Sequence, residues 1–580
     1  MVRPRASQNE AVINSSWRHL IIDGYVDEPA SLGVPPYLSF QIRSLAGGLV
    51  SGGAREEDVG YLTVDQWRTL RGKGKSLKEI KDLESAVLVT GCVVPGKYLR
   101  GTPISARETG ELMREVEASL KVVTGSAPTA MKSDDVQVHR GDTGVLGHSL
   151  ASEGLISDKK RTHEEWNLHL KKGAFIAKLH PDHPSPLICE IEASRGCPRY
   201  ITGGCSFCLE PGRGMVEYRR PEEVIDEVQE LGSNGVENIR IGGQSDLISY
   251  MSPDVGSSEV PEPDPSVIRE LMIGVRRALY EGGGVKKAVS GGWRPGIDTG
   301  IIHTDNANPA VISLHPESSR KALEAITEGA TGGSVLALGL ESSDPGVRRE
   351  NNLNSTPEQV IRAVAIMNEV GGDYSENGMP SLLPGINFLG GLPGQGAESF
   401  RYDMELLDKI LARKLLLRRI NIRKVIFPAH GENRPNRYEN REITSAFRKF
   451  KDEVRTRVER EFLSRMLPAG HVIKGIHTEA VSGGVVFGRQ IGSYPLLVGI
   501  PHYVPIGIKI DVAVTEVSGR SVTGFRSPFD LPKAKFRDLC ALPGIGKKRA
   551  ASLFRAIGRG EGIPHDLFEN NEWVKKHLRN

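Results

Sequence analysis

An α/β fold built from several units is predicted, on three observations. Between residues 17 and 430, β-branched apolar runs ending in glycine or a polar turn alternate with capped, amphipathic segments. That is the pattern of parallel strands joined by crossover helices. After Pro468-Ala469-Gly470 the apolar period drops to two, the mark of a small all-β unit. A chain of 580 residues also has room for roughly two to four units.

Composition narrows the class. Hydrophobic residues make 38% and charged residues 25% of the chain, which predicts a soluble globular protein. No apolar run is long enough for a spanning helix, and Met1–Ser7 has no apolar signal core. Six cysteines without framework spacing fit a reducing compartment. A cytoplasmic location without membrane contact is therefore expected. Net charge is only +3, but residues 411–465 hold 16 Lys/Arg against 7 Asp/Glu, and residues 530–580 hold 11 against 6. Such basic regions attract a polyanion; solvated helix faces laced with ion pairs are the alternative.

In chain order, residues 1–16 read as a polar arm and His19–Gly24 as a strand. Pro35–Leu49 reads as a helix, and Val59–Val64 and Ala86–Cys92 as strands. Ser105–Leu120 reads as a helix opened by the capping pair Ser105 and Glu108, and Lys121–Gly125 as a further strand. This alternation predicts a Rossmann- or flavodoxin-like domain over 1–150. It lacks Gly-x-Gly-x-x-Gly after its first strand, lacks Asp-x-His-x-x-Gly, and holds one cysteine, Cys92. A scaffold or substrate-positioning role is expected. Residues 151–185 read as a polar connector with a short helix near 162–172.

The chemistry concentrates in Cys197-Pro198-Arg199-Tyr200-Ile201-Thr202-Gly203-Gly204-Cys205-Ser206-Phe207-Cys208. The strand Leu187–Ala193 leads into it. Thiolates are soft ligands for zinc or iron–sulfur clusters. A structural zinc site or a closed four-iron cluster takes four protein ligands, so three leave one position open. Cys189 reads as a buried strand residue.

A strand that delivers three cysteines closed by Cys-x-aromatic-Cys resembles the radical S-adenosylmethionine (radical SAM) superfamily. The resemblance implies that Cys197, Cys205 and Cys208 hold a [4Fe-4S] cluster whose fourth iron chelates S-adenosylmethionine. One electron from a reductant then yields a 5′-deoxyadenosyl radical. The seven residues between Cys197 and Cys205 exceed the three of the commonest family pattern. Phe207 is expected beside the adenine. Val236–Gln244 is a strand ending in Gly242-Gly243-Gln244, similar to the family's Gly-Gly-Glu turn, with Ser245 or Asp246 as compensating acceptors. Gly339-Leu340-Glu341-Ser342 resembles the family's fourth-strand stretch. Gly242, Gly243, Gln244, Glu341 and Ser342 are thereby expected to touch S-adenosylmethionine. Asp305 and Asn306 follow a third strand and are pocket candidates, with helix capping as the alternative. Asn387, in Gly385–Gly394, and Arg423, in Arg418–Val425, are further pocket candidates. No residue is assigned a catalytic step. The resemblance covers about 187–430 and implies a partial (βα)6 barrel over 186–430.

Arg441–Met466 reads as a long helix within a 431–468 linker, its phenylalanines at core spacing. Residues 469–528 predict a β-barrel of about five strands that looks like a TRAM domain, or a generic oligonucleotide-fold-like barrel. Leu542-Pro543-Gly544-Ile545-Gly546-Lys547-Lys548-Arg549 resembles a helix–hairpin–helix motif within 529–580. Gly544, Gly546, Lys547, Lys548 and Arg549 are expected to meet a nucleic-acid phosphate; a structural hairpin is the alternative. The whole implies a radical enzyme that modifies a nucleic acid, tRNA foremost. A radical SAM enzyme for a small molecule or protein, and a non-catalytic iron–sulfur nucleic-acid-binding protein, stay open. Methylthiolation is disfavoured, since a second set of three cysteines is absent.

Overall fold

The computed structural model describes residues 14–25, 37–91, 101–125, 135–281, 300–425, 440–561, 567–568 and 571–579. The first sheet contains β1 (His19–Asp23), β2 (Val59–Thr63), β3 (Leu83–Thr90), β4 (Ala118–Gly125) and β5 (Gln137–Val138), in the order β2-β1-β3-β4-β5. All its pairings are parallel, the doubly wound arrangement. Every residue of β1 and β2 is buried, which is why their sequences read as unbroken apolar runs rather than alternating ones.

Two boundaries differ from expectation. The helix expected from Pro35 begins at Phe40, where the Ser39 hydroxyl accepts the Gln41 N–H; Pro35 and Cys92 lie outside the described residues. The Ser105–Glu108 capping box forms, but its helix ends at Glu115 rather than Leu120. The ladder explains this: Ala118 already pairs with Leu83, so β4 starts three residues before Lys121.

The polar stretch after this sheet is packed. Helix Thr143–Ser152, in a stretch that reads as a connector, and helix His163–Lys172 lie against helix Phe40–Ser51. Glycines set the approach. A Cβ on Gly47 would stand 1.8 Å from the His169 carbonyl oxygen, and one on Gly173 would stand 1.8 Å from that of Arg43. Helix Phe40–Ser51 also carries Arg43, whose guanidinium joins Glu227 and Arg219 in a fully buried triad and donates to the Glu190 carbonyl. A buried carboxylate needs such partners, and these tie the first unit to the second.

The second unit is an arc of six parallel strands. β6 (Cys189–Ile191) is followed by the short antiparallel pair β7 (Ser194–Arg195) and β8 (Glu217–Tyr218), which flanks the cysteine loop. Then come β9 (Ile239–Ile241), β10 (Ile302–Thr304), β11 (Ser334–Glu341), β12 (Leu382–Gly390) and β13 (Arg419–Lys424). Two three-stranded sheets, β6-β9-β10 and β11-β12-β13, meet through a parallel bridge between Ala307 and Leu338. The crossover helices Pro221–Ser233, Pro316–Gly329 and Pro357–Gly371 each begin with proline, whose missing N–H costs nothing there.

The expected long helix runs as Arg441–Glu453, a π turn over Val454–Val458, and Glu459–Met466. Phe450 packs edge-on to Phe388 of β12. Beyond it, β14 (Val472–Ser482), β15 (Val485–Arg489), β16 (Leu497–Ile500), β17 (Lys509–Val517) and β18 (Ser521–Arg526) close into a five-stranded barrel. β19 (Phe529–Asp530) pairs with β20 (Leu578–Arg579). Between them, helices Phe536–Leu539 and Lys547–Gly558 are joined by a turn with Gly544 at φ +76°, a conformation that favours glycine. No helix among the described residues is long and apolar enough to cross a membrane.

The glycine contacts give a stability prediction. Gly47→Ala should destabilise the protein by about 1–3 kcal/mol through overpacking. Gly72→Ala, where a Cβ meets nothing within 4 Å, should be neutral or stabilising by about 0.4–1 kcal/mol. Urea unfolding of both variants checks the contrast.

Candidate active site

The cysteine loop is clamped from the far side of the arc. Within it, Pro198–Thr202 forms a turn of 3-10 helix. Arg199, buried, donates to the Cys205 sulfur at 2.9 Å, to the Asn352 carbonyl at 2.7 Å and to Glu259 at 3.1 Å. Asn352 returns two hydrogen bonds, to the carbonyls of Thr202 and Gly204, at 3.0 and 2.8 Å. The Ser206 hydroxyl donates to the Asn351 side chain at 2.7 Å, and Asn351 itself donates to the Pro393 carbonyl at 2.9 Å. The seven-residue gap is thus a folded turn that reaches the segment after β11, and Ser206 beyond it links through Asn351 to the loop after β12.

A cavity of about 400 Å³ opens beside the loop, lined by five strands of the arc and by the residues that follow β10. Phe207, Gly243, Asp305, Asn306, Glu341, Asn387 and Arg423, all singled out by sequence, line it together. Such convergence at the carboxyl ends of parallel strands is where barrel sites form. Gly243 has φ +78°. Glu341 has φ +68° and follows a register shift in the β11–β12 ladder. A bulge of this kind re-aims a side chain, and a non-glycine residue held there stores strain typical of functional positions. Burial, with Asp403 nearby, pushes the Glu341 carboxyl up to about 8.

Other candidates sit elsewhere. Gln244 is buried outside the lining; its amide donates to the Ile241 carbonyl at 3.0 Å, and its Oε1 accepts no hydrogen bond among the described residues. Ser245 donates to the Gly196 carbonyl at 2.9 Å. Asp246 is buried and accepts from the N–H groups of Ile248 and Asn308. Ser342 is fully buried and accepts the Asp344 N–H at 3.3 Å. Asn308, not Asp305 or Asn306, caps the helix that follows. Cys189 is fully buried, and burial pushes its thiol up to about 12.

The residues that sequence reasoning missed form a chain of contacts across the cavity. Arg240 of β9 pairs with Asp305 and lies 3.4 Å from Glu190 of β6. The Tyr494 hydroxyl donates to the other side of Asp305 at 3.1 Å. Tyr494 belongs to the strap between β15 and β16, so the small barrel reaches into the arc. Arg419 stacks over the Tyr494 ring at 4.4 Å. Buried His303 accepts the Ser493 N–H through Nδ1 at 3.0 Å, and burial lowers its imidazole to about 3. The Arg240 partner of Asp305 lies 65 positions upstream and Tyr494 lies in another unit, so no local pattern marked them.

The donor set fits an iron–sulfur cluster. The three thiols lie within electrostatic reach of one another, and Cys205 and Cys208 within reach of Glu341. Burial raises the Cys197 thiol, pushes that of Cys205 up to about 12 and pushes that of Cys208 up to about 11, even though Cys208 is the most exposed of the three. These thiols are neutral until a metal deprotonates them. No three His, Cys, Asp or Glu side chains among the described residues converge on a single-ion site; a cluster held at its corners needs its thiolates spread apart.

The profile of the Radical SAM superfamily matches residues 191–407, which spans β6, the cysteine loop and the cavity. The chain carries a radical SAM domain. This radical SAM enzyme therefore uses a [4Fe-4S] cluster and S-adenosylmethionine. It is 37% identical over 533 residues to the uncharacterized protein MJ0274 of Methanocaldococcus jannaschii, covering 87% of this chain and 93% of that one. It is 24% identical over 216 residues to the tRNA-2-methylthio-N(6)-dimethylallyladenosine synthase of Caldicellulosiruptor saccharolyticus, covering 37% of this chain and 36% of that protein. Among solved structures, the radical S-adenosylmethionine methyltransferase TsrM of Kitasatospora setae aligns with a TM-score of 0.43 at 13% identity, over 70% of this chain and 72% of that one.

The strap makes stability pH-dependent. With His303 held near 3 when folded, the unfolded chain binds an extra proton between pH 6.5 and 3, so this contribution is lost as pH falls through that window. From pH 7 to pH 5 the wild type should lose about 2 kcal/mol that His303→Gln does not lose. Parallel denaturant titrations at the two pH values measure the difference.

Proposed function

We propose that this radical SAM enzyme modifies a nucleic acid, tRNA foremost, in the cytoplasm. Cys197, Cys205 and Cys208 hold the cluster, and S-adenosylmethionine lies between Phe207, Gly243 and Glu341. When bound, these groups supply one-electron cleavage of a carbon–sulfur bond and hydrogen-atom abstraction, with the electron coming from an external reductant. The chain's own residues bind and orient. The Phe207 ring offers a face to the adenine. The Gly242-Gly243 turn brings backbone close to the methionyl amine, and Gln244 Oε1 is an acceptor behind it. Glu341, its carboxyl near 8, is held protonated at neutral pH and can donate a hydrogen bond into the cavity. The substrate enters past Asn387, Asn421 and Arg423 of the last two strands.

One observation carries the nucleic-acid reading. Helix Lys547–Gly558 starts at Gly546 without a side-chain cap and without an acidic residue in its first turn. Gly544, Gly546, Lys547, Lys548 and Arg549 are all exposed, whereas Leu542 and Ile545 anchor the turn in the core below. Open N–H groups beside three cations suit a phosphate, as in a helix–hairpin–helix. Nearby, Tyr503 is 73% exposed with Lys535 at 6.0 Å from its ring, a pairing that suits a stacked base. The closed barrel fits a TRAM-like module, and the first sheet fits a Rossmann- or flavodoxin-like scaffold. The partial likeness to a tRNA-2-methylthio-N(6)-dimethylallyladenosine synthase favours tRNA over other nucleic acids.

Two measurements test this. Release of 5′-deoxyadenosine should rise when total tRNA is added, and mass spectrometry of tRNA nucleosides should lose a species in a deletion strain; no change in either sinks the reading. Lys547→Glu should weaken tRNA binding and lower the slope of log K against log salt by about 0.7–0.9, with cluster content unchanged. Independently, Cys205→Ala should abolish the brown colour and S-adenosylmethionine cleavage together. Retained cleavage would remove Cys205 from the cluster.

A further inference from the structure

Among the described residues five aromatic side chains are exposed, and three of them, Tyr503, Phe536 and Phe554, lie in the small barrel and the hairpin that follows it. Helix Lys547–Gly558 buries Ala550, Leu553 and Ala556, which leaves Phe554 on its outer side, 46% exposed. Phe536 opens helix Phe536–Leu539, which buries Leu539, and is itself 40% exposed. Tyr503 stands in the loop between β16 and β17. The three are gathered in one place. Phe536 and Phe554 meet edge to face, with ring centroids 6.4 Å apart. The Tyr503 N–H donates to Asp538 at 3.1 Å, and Lys535, next to Phe536, lies 6.0 Å from the Tyr503 ring. Each ring carries a large apolar area, and contiguous exposed apolar surface marks an interaction site.

The charge around the rings selects the partner. Residues 533–559 hold eight Lys/Arg and one acidic residue, Asp538, and all eight cations are exposed. Lys533 pairs with Asp530 and Arg559 with Glu561. Among the described residues, Lys535, Arg537, Lys547, Lys548, Arg549 and Arg555 pair with no carboxylate. Asp538 itself is taken up by two N–H groups, that of Tyr503 and that of Lys535, the latter at 3.0 Å. An apolar protein face would leave these cations uncompensated. A polynucleotide brings phosphates for the cations and base π-faces for the rings.

We propose that Tyr503, Phe536 and Phe554 form a stacking platform for unpaired bases, in the same hairpin as the turn that receives a phosphate at Lys547. This rests on the reading of the enzyme as one that modifies a nucleic acid, and it names the part that docks here: a loop or an end with splayed bases, not a helical stem. In a stem the base faces are covered by their neighbours, and what an RNA duplex offers is phosphates and 2′-hydroxyls. Exposed rings have nothing to stack on there. Every base has a π-face, and the one carboxylate beside the rings is already engaged. The platform therefore selects unpaired bases with little regard to sequence.

The test uses full-length, cluster-loaded protein and a short RNA of mixed sequence, offered alone and annealed to its complement. Fluorescence anisotropy follows binding over a range of salt. The wild type should bind the single strand more tightly than the duplex. Phe554→Leu keeps apolar bulk but removes the ring. It should weaken single-strand binding about tenfold and leave the slope of log K against log salt unchanged, because no cation is lost. Tyr503→Leu should behave in the same way, and Phe554→Trp should bind at least as tightly as the wild type. Duplex binding should be equal in all four proteins. Single-strand binding by both leucine variants equal to that of the wild type overturns the platform, and is the result expected if an apolar protein surface is the occupant. A duplex bound as tightly as the single strand overturns it too. In either case a weakened tRNA affinity of Lys547→Glu keeps the nucleic-acid reading standing without the platform, whereas RNA bound by none of the proteins sinks both.

Discussion

The charge chain Glu190–Arg240–Asp305–Tyr494 is the constraint on which the rest of the site depends. Each member comes from a different element: β6, β9, the end of β10, and the strap of the small barrel. Arg240 and Asp305 are both buried, and breaking such a pair by removing one partner costs about 3–5 kcal/mol. They are satisfied together only when all four elements are in place. The same contacts fix where the strand ends stand, and so fix the shape of the cavity that Phe207 and Glu341 share with them. The small barrel is therefore part of the reaction chamber as well as a neighbour of it.

Two further features set the chamber's geometry. The cysteine loop is longer than the family's commonest spacing, and its extra residues form a turn bolted to Asn352 across the arc. The long spacing thereby supplies a tether that a shorter loop has no residues to make. On the opposite wall, Glu341 is turned inward by a local bulge with a left-handed backbone. Strain on one side and a tether on the other fix the positions of Glu341 and the cysteine loop.

Much of this was legible in the sequence, for physical reasons that can be named. Buried parallel strands show as apolar runs, so the arc and the first sheet could be read from 187–430 and from His19, Val59 and Ala86 onward. Ser105 and Glu108 announced a helix start through hydrogen-bonding groups adjacent in sequence. Asp305, Asn306, Asn387 and Arg423 could be placed because strand ends point at one face, and Phe207 through the resemblance carried by the Cys-x-aromatic-Cys motif. The helix Thr143–Ser152 escaped notice because its packing runs through glycines and backbone, which leave no apolar stripe. Arg240 and Tyr494 escaped because their roles are defined by partners far away in the chain. The inward turn of Glu341 was invisible because a bulge belongs to a pair of strands and not to either sequence alone.

The strap has a consequence for how the protein is made. The ribosome delivers the chain from its N-terminus at roughly 5–20 residues per second, so the cysteine loop emerges well before Tyr494. Until then Asp305 lacks its Tyr494 partner, and the wall of the cavity that Tyr494 forms is complete only once the barrel strap has been made. The closing of the chamber is a late event in the life of each molecule, timed by the position of one tyrosine in the gene.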